Sequence, residues 1–188
     1  MESSQKEEKQ AAGTKNKVSV FFTQHWKDLL YLLIFASIIV GLDQLTKAWV
    51  RSNIPMGQDW LPPSLSWLSP FARLRHTFNF GAAFGLFQQG GMVFAVLAVI
   101  VSVLIISYFP SVSRQDWWLR VALSMQLGGA IGNLIDRIRF GSVTDFISVG
   151  NFAIFNIADA SITVGVGILI LGIWTMESKL KKEKQAGK

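Results

Sequence analysis

The stretch MVFAVLAVIVSVLIISYF, residues 92–109, decides the fold of this sequence because none of its residues is charged. Eighteen residues of α-helix rise about 27 Å, and the hydrocarbon core of a bilayer is about 30 Å thick. Only two serines interrupt the otherwise apolar and aromatic run. The stretch therefore predicts a helix that crosses a membrane.

Three further segments have the same character. Residues 29–42 are an apolar run, residues 121–135 are mostly apolar or small, and residues 160–176 carry no charge. Small residues on the last two segments, Gly128 with Gly132 and Ser161 with Gly165, predict close contacts between helix backbones. We therefore predict an all-α membrane protein with four transmembrane helices, near residues 29–50, 91–109, 118–137 and 156–176.

The composition agrees with a membrane location and excludes several classes of enzyme. Hydrophobic residues make up 51% of the 188 residues and charged residues only 16%, whereas a soluble domain carries about 25% charged residues. The chain has no cysteine and only two histidines. It therefore has no disulfide framework and no cysteine nucleophile, and little from which to build a histidine metal site or a catalytic triad.

The positive charge of the chain lies mainly at its two ends. The net charge is +6, and residues 1–28 and 179–188 contain five lysines each. Lysine-rich segments beside hydrophobic spans stay in the cytoplasm, so we expect both termini there. We predict a partly disordered cytoplasmic tail over 1–28, a membrane domain over 29–176 and a basic cytoplasmic tail over 177–188. Cations in these positions favour membrane lipids as partners and argue against nucleic acid.

With this topology, the connections 51–90 and 138–155 face outward. Four prolines punctuate the first half of 51–90, which predicts irregular backbone there. Residues 72–80 then alternate between apolar or aromatic and polar side chains, as a β-strand with one covered face does. We expect a small sheet on the outer membrane surface.

Polar residues gather at the predicted outer ends of the helices. Carboxylates near membrane depth are costly and usually functional. Local roles are available for some of these residues: Asn156 and Asp159 suit a helix cap, Lys47 could extend to the interface, and Arg137 suits a helix C-terminus. Four carboxylates at one depth nevertheless exceed what helix ends need. We expect one cluster formed by Asp43, Asp136, Asp145 and Asp159 with Lys47, Asn79, Asn133, Arg137 and Asn156.

Paired carboxylates would give this cluster a hydrolytic chemistry. Two neighbouring carboxylates repel each other, so one of them tends to hold a proton near neutral pH. The ionised partner can deprotonate a water while the protonated partner polarises a carbonyl or protonates a leaving amine. Sequence spacing alone leaves open which two of the four aspartates form the pair.

Five strings occur in one order along the chain: LDQLTK at 42–47, FNFGAAF at 78–84, GNLIDR at 132–137, GSVTDF at 141–146 and FNIAD at 155–159. With four spans and cytoplasmic tails, they resemble the lipoprotein signal peptidases, also called signal peptidase II. This resemblance covers about residues 29–176. It implies a bacterial inner-membrane aspartyl endopeptidase whose active site lies near the outer face. The enzyme would cut the signal peptide from prolipoproteins just before a diacylglyceryl-modified cysteine.

The resemblance also implies a role for each residue of the cluster. Asp145 and Asp159 would be the catalytic dyad, which Asn133 and Asn156 would orient together with the scissile peptide. Asn79 and Gly81 would bind the backbone of the substrate. Arg137, beside Asp136, would stabilise the third helix and contact the substrate. Asp43 and Lys47 would have a structural role. Residues 51–90 would contain the family's β-cradle, and 138–155 its extracellular helix.

The resemblance further implies the partners of the protein. They are a lipidated prolipoprotein, membrane lipids and cyclic-peptide inhibitors such as globomycin, bound by a monomer without metal or cofactor. The chain departs from the family pattern at Gly85, Thr144 and Ala153, where serine, valine or isoleucine, and proline are usual. Fourteen residues separate Asp145 from Asp159, which is toward the short end for the family. These departures concern the shape of the covering loop and the substrate preference.

Other classes of function remain open on residue patterns alone. A lipid phosphotransferase that uses aspartates to hold Mg²⁺ would need carboxylates clustered on one helix face, whereas these lie on separate helix ends. A transporter or small channel would need polar residues near the bilayer midplane and internal repeats. A purely structural membrane protein would have no activity. We rank these below the peptidase.

Overall fold

Four α-helices and a three-stranded sheet make up the part of the protein that the structure describes. The computed structural model describes the backbone of residues 2–81 and 90–186, and the side chains of residues 20–21, 23–81 and 90–175. The helices are α1 (Glu2–Asn53), α2 (Gly91–Tyr108), α3 (Trp117–Phe140) and α4 (Ile157–Ala186). The strands are β1 (Asp59–Trp60), β2 (Ala72–Asn79) and β3 (Val143–Val149), and short 3-10 helices occupy Pro63–Leu68 and Phe109–Ser111. The prediction of a mostly helical membrane protein with a small sheet is confirmed.

Among the described residues, three helical segments are long and apolar enough to cross a membrane: Thr23–Asn53, Gly91–Ser111 and Ile157–Thr175. Helix α3 corresponds to the third predicted span, 118–137, and its crossing of the membrane stays a prediction. It lies against α1, α2 and α4, so small and polar residues replace much of the apolar surface that lipid would otherwise require. Its 24 residues rise about 36 Å, enough for a span.

Glycines on α3 permit the close packing that the sequence predicts. A Cβ added at Gly128 would lie 2.6 Å from Cβ of Ile39 on α1. A Cβ added at Gly165 on α4 would lie 2.9 Å from the carbonyl oxygen of Ala122 on α3. Neither position can accept a larger side chain without separating two helices. The predicted backbone contacts on both helices are therefore confirmed.

Helix α1 begins at Glu2 rather than near residue 29. The prediction of a partly disordered tail over 1–28 rested on its polar composition. In the structure the helix continues through this tail, because glutamate, lysine, glutamine and alanine are strong helix formers. The other helices begin and end within a few residues of their predicted limits, except that α4 continues past 176 to Ala186.

The antiparallel sheet has the strand order β1-β2-β3, and β2 confirms the strand predicted at 72–80. Thr77 pairs with Asp145 and Asn79 with Val143, with an irregularity in register between Leu74 and Thr77. The expectation of a helix within 138–155 is wrong. Helix α3 ends at Phe140 and is capped by Gly141, whose φ of +72° suits a glycine, and this connection then forms β3. A 3-10 helix, Pro63–Leu68, lies in the connection 51–90.

Candidate active site

Asp145 and Asp159 reach one place from different elements. Asp145 lies on β3, and Asp159 lies in the first turn of α4. Asn156, just before α4, contacts both: its Nδ2 donates to Oδ1 of Asp145 over 2.7 Å, and its Oδ1 accepts from the backbone N–H of Asp159 over 2.9 Å. Oδ2 of Asp159 in turn accepts from the backbone N–H of Asn156 over 3.3 Å. This reciprocal pattern is a capping box, so the predicted helix cap is present, and Asn156 connects the start of α4 to Asp145.

Asn133 connects this pair to α3. Its Nδ2 donates to Oδ1 of Asp159 over 2.7 Å, and its Oδ1 accepts from Nδ2 of Asn156 over 3.1 Å. The same oxygen accepts from Nζ of Lys47 over 2.9 Å. The amide of Asn133 is therefore held in one orientation, with its donor toward Asp159.

Asn79 approaches Asp145 from the end of β2. Its Nδ2 donates to Oδ2 of Asp145 over 3.0 Å, while its Oδ1 accepts from the backbone N–H of Gly81 over 3.0 Å. Each oxygen of Asp145 thus accepts from the amide of one asparagine. The remaining residues of the FNFGAAF string, 82–84, and Gly85 lie outside the described residues.

Lys47 is the centre of a second, fully buried group. Its ammonium, 0% exposed, lies 2.8 Å from Oδ2 of Asp43 and 3.5 Å from Oδ2 of Asp136. Lys47 does not extend to the interface, so that alternative is wrong. Asp43 also accepts from the backbone N–H of Ala158 over 2.9 Å, and caps α4 from α1. Gly132 makes this approach possible, because a Cβ there would lie 2.7 Å from Oδ2 of Asp43.

Three residues that the sequence reasoning did not assign to the site also take part. Nε2 of Gln44 lies 3.1 Å from Oδ2 of Asp43 and 3.1 Å from Oδ1 of Asp136. Nη1 of Arg51 donates to Oγ1 of Thr144 over 2.8 Å, and Asp136 accepts from the backbone N–H of Thr144 over 2.9 Å. Two of these residues could have been found from the sequence. Gln44 belongs to the LDQLTK string, and Thr144 is polar at a position where the family is usually apolar.

A cavity of about 500 Å³ opens beside the pair. Asp159 is part of its wall, whereas Asp145 is only 2% exposed and lies behind Asn79 and Asn156, its two hydrogen-bond donors. Apolar residues of α2, α4 and the segment after β3, including Phe94, Phe152 and Ile162, form most of the remaining wall. Ala153, one of the departures from the family pattern, lines it too. The predicted residues on the wall are Asn79, Gly81, Asn133, Arg137 and Asp159.

The electrostatics of the site favour one bound proton. Burial, and after it the nearby charge of Asp159, raise the pKa of Asp145 to about 7, although the hydrogen bonds from Asn79 and Asn156 and the charge of Lys47 act in the opposite direction. The four aspartates are accompanied by three described cations, Lys47, Arg51 and Arg137. One proton on the cluster would therefore balance its charge, as expected for paired carboxylates.

Comparisons with known proteins point in one direction. The signal peptidase (SPase) II family matches residues 35–175. The lipoprotein signal peptidase of Bartonella tribocorum is 39% identical over 153 residues, which cover 77% of this chain and 87% of that protein. That of Halalkalibacterium halodurans is 39% identical over 162 residues, covering 84% of this chain and 100% of the relative. A bacterial membrane enzyme solved by the in meso method at 2.3 Å superposes with a TM-score of 0.71, at 29% identity, over 79% of this chain and 90% of that one.

Proposed function

Because the chain belongs to the signal peptidase II family, we propose that Asp145 and Asp159 are the catalytic dyad with which it cuts its substrate. The protein is an aspartic-type membrane protease that removes the signal peptide from prolipoproteins. The single observation that carries the dyad is Asn156, which hydrogen-bonds both carboxylate-bearing residues beside the cavity.

Asp159 is the general base and Asp145 the general acid in this proposal. Asp159 faces the cavity in the first turn of α4, where the helix dipole stabilises negative charge. Asp145 is more deeply buried, and its pKa of about 7 keeps a proton available near neutral pH. The two environments separate the roles of two chemically identical groups.

Cleavage then needs one water and no other reagent. Asp159 takes a proton from the water, and the oxygen of that water attacks the scissile carbonyl carbon. Asp145 gives its proton to the carbonyl oxygen. The tetrahedral diol collapses as Asp145 recovers that proton and Asp159 passes its proton to the leaving nitrogen, which breaks the C–N bond. Asn79 must move for this step, because its amide donates to Oδ2 of Asp145.

The substrate reaches the dyad from the side, through the lipid. The exposed face of α4 near Ile162 and Val164 is apolar and continues into the cavity. Diacylglyceryl chains on the substrate cysteine can stay in lipid there while the peptide before the cysteine enters. Asn79, Gly81, Asn133 and Arg137 offer donors and acceptors to its backbone. Asn156 holds the dyad from behind, and cyclic-peptide inhibitors such as globomycin would compete for this cavity.

The membrane arrangement follows from charge and from the place of the dyad. The dyad lies where α1 and α3 end and α4 begins, opposite the lysine-rich termini. We place these termini in the cytoplasm and the dyad near the outer face of a bacterial inner membrane. The chain crosses this membrane four times, and a monomer is sufficient for activity. Lipids surrounding the apolar helices and the lipidated prolipoprotein are the partners.

The Mg²⁺-dependent phosphotransferase has no observation in its favour. Within the described ranges, no three histidine or acidic side chains are arranged to hold a metal ion. Asp43 and Asp136 instead face Lys47, which takes the place that a cation would occupy between them.

The function is tested with purified protein in phospholipid vesicles and a diacylglyceryl-modified prolipoprotein. In water enriched in ¹⁸O, the released signal peptide should carry one label at its new carboxyl group, with the cut just before the lipidated cysteine. The matched control is the same precursor without its lipid, which should remain uncut. A cut elsewhere, or an unlabelled carboxyl group, would refute direct hydrolysis at this site.

A further inference from the structure

A second cavity, of about 290 Å³, lies far from the dyad. Fifteen residues of α1 separate Asp28 in this cavity from Asp43 in the active site, a rise of about 22 Å. The cavity is therefore near the opposite membrane face. Its lining residues are Lys27, Asp28, Tyr31, Arg114, Trp117 and Arg120.

Two arginines are held in place around this cavity before any ligand arrives. Oδ1 of Asp28 accepts from Nη2 of Arg120 over 2.8 Å and from Nε of Arg114 over 3.2 Å, and its Oδ2 accepts from Nη2 of Arg114 over 3.3 Å. Nη1 of Arg120 donates to the carbonyl oxygen of Val112 over 3.1 Å. The guanidinium of Arg120 also stacks on the ring of Phe109 at 4.4 Å. This framework limits the conformations that Arg114 must lose on binding an anion.

The cavity keeps an excess of positive charge. Its wall contains three cations, Lys27, Arg114 and Arg120, and one carboxylate, Asp28. Even with Asp116, the residue just before α3, the cations outnumber the acids. Arg120 is buried against Asp28, so Lys27 and the exposed Arg114 are the groups that a ligand can reach.

The surroundings of the cavity match the headgroup region of a bilayer. The indole of Trp117 is 67% exposed, and Trp26 beside Lys27 is exposed as well. Tryptophan rings prefer the boundary between hydrocarbon and water. The apolar run of α1 begins at Leu29, directly after Asp28, so the cavity lies at the end of the segment that crosses the membrane.

We propose that this cavity binds the phosphodiester group of an anionic phospholipid in the leaflet opposite the dyad. Arg114, through the Nη1 and Nη2 hydrogens that Asp28 does not use, and Lys27 contact the phosphate, because guanidinium and ammonium donors suit its oxygens. Trp117 packs along the glycerol and the first methylene groups. The excess positive charge disfavours a headgroup that carries its own ammonium group. This site is independent of the peptidase chemistry.

Binding is measured by titrating dihexanoylphosphatidylglycerol into the full-length protein in detergent. Each lysine or arginine near anionic lipid contributes about fivefold in affinity, so Lys27→Gln with Arg114→Gln should weaken binding about thirtyfold. The matched control removes two cations far from this cavity, the half-buried Arg75 and the exposed Arg139, by Arg75→Gln with Arg139→Gln, and should bind like the unmodified protein. Arg114→Lys keeps the charge without the guanidinium geometry and should lose less than the about fivefold expected for Arg114→Gln. Unchanged peptidase activity certifies that each variant is folded.

Three results would overturn the proposal. The first is an equal loss of affinity in both double variants, which would mean attraction to net charge alone. The second is equally tight binding of dihexanoylphosphatidylcholine. The third is equally tight binding of inorganic phosphate or glycerol 1-phosphate, which would assign the cavity to a soluble anion rather than a lipid.

Discussion

Asn156 donates from Nδ2 to Oδ1 of Asp145 over 2.7 Å while the same side chain caps the helix that carries Asp159. One fully buried amide therefore fixes the distance between the strand and the helix of the dyad. The geometry of the two carboxylates depends on this residue as much as on the sheet and the bundle.

Replacement of Asn156 tests this dependence. Asn156→Ala removes the amide that holds Asp145 and caps the helix of Asp159, and a buried donor or acceptor left unsatisfied costs about 1 to 3 kcal/mol. We expect kcat to fall by between about fivefold and a hundredfold, with a smaller change in KM. Asn151→Ala, an exposed change in the same connection, is the control. A normal kcat for Asn156→Ala would show that Asn156 does not position the two aspartates for catalysis.

The pH dependence of cleavage tests the assignment of the acid. The pKa of Asp145 is raised to about 7, so the protonated form dominates below pH 7 and disappears above it. If Asp145 is the general acid, kcat falls as pH rises through about 7, and falls tenfold for each further unit. Single-turnover rates between pH 5 and 9 measure this. A rate that stays level to pH 9 would contradict the assignment.

Thr144 offers a test that is specific to this chain. Its hydroxyl accepts from Arg51 over 2.8 Å and its backbone N–H donates to Asp136, so the residue before Asp145 is held from two sides. Thr144→Val replaces the hydroxyl by a methyl group and removes the part-buried hydrogen bond from Arg51, at about 1 to 3 kcal/mol. We expect a fall in kcat of about fivefold to a hundredfold. Thr144→Ser keeps the hydroxyl and should retain activity; equal losses in both variants would refute the role of this hydrogen bond.

Lys47 is predicted to matter for stability. Lys47→Met would leave Asp43 and Asp136 facing each other, fully buried, without the cation between them. Removal of one partner from a buried ion pair costs about 3 to 5 kcal/mol. We expect the free energy of unfolding to fall by this amount, while the exposed Arg139→Met changes it little. A variant as stable as the unmodified protein would refute the stabilising role of this buried ion pair.

The helices and one strand could be predicted because their signals are local. Uncharged runs such as 92–109 predict helices in lipid, and the alternation of apolar and polar side chains over 72–80 predicts a strand with one covered face. Strand β3 has no alternation to detect: Val143 to Phe146 are all buried, since both faces of the strand are covered. The family resemblance implied a helix in this connection, and the sequence shows no period-two pattern that would have predicted a strand instead.

The site could be predicted in its members but not in its connections. Costly carboxylates at helix ends identified the four aspartates, and resemblance selected Asp145 and Asp159. The contact of Lys47 with Asp136 and the hydrogen bond from Arg51 to Thr144 each join residues more than eighty positions apart in the sequence. Such pairs depend on how helices pack, which single-sequence patterns do not specify.

The central claim is that Asp145 and Asp159 together split the amide bond. It is tested by single-turnover cleavage of a lipidated prolipoprotein by Asp145→Asn and by Asp159→Asn, each reconstituted in vesicles, with the exposed Asp59→Asn as the control. Loss of either acid–base partner should reduce the rate by at least about 10²- to 10⁴-fold, while the control cleaves normally and all three variants unfold cooperatively. Cleavage at the normal rate by either folded dyad variant would contradict the account.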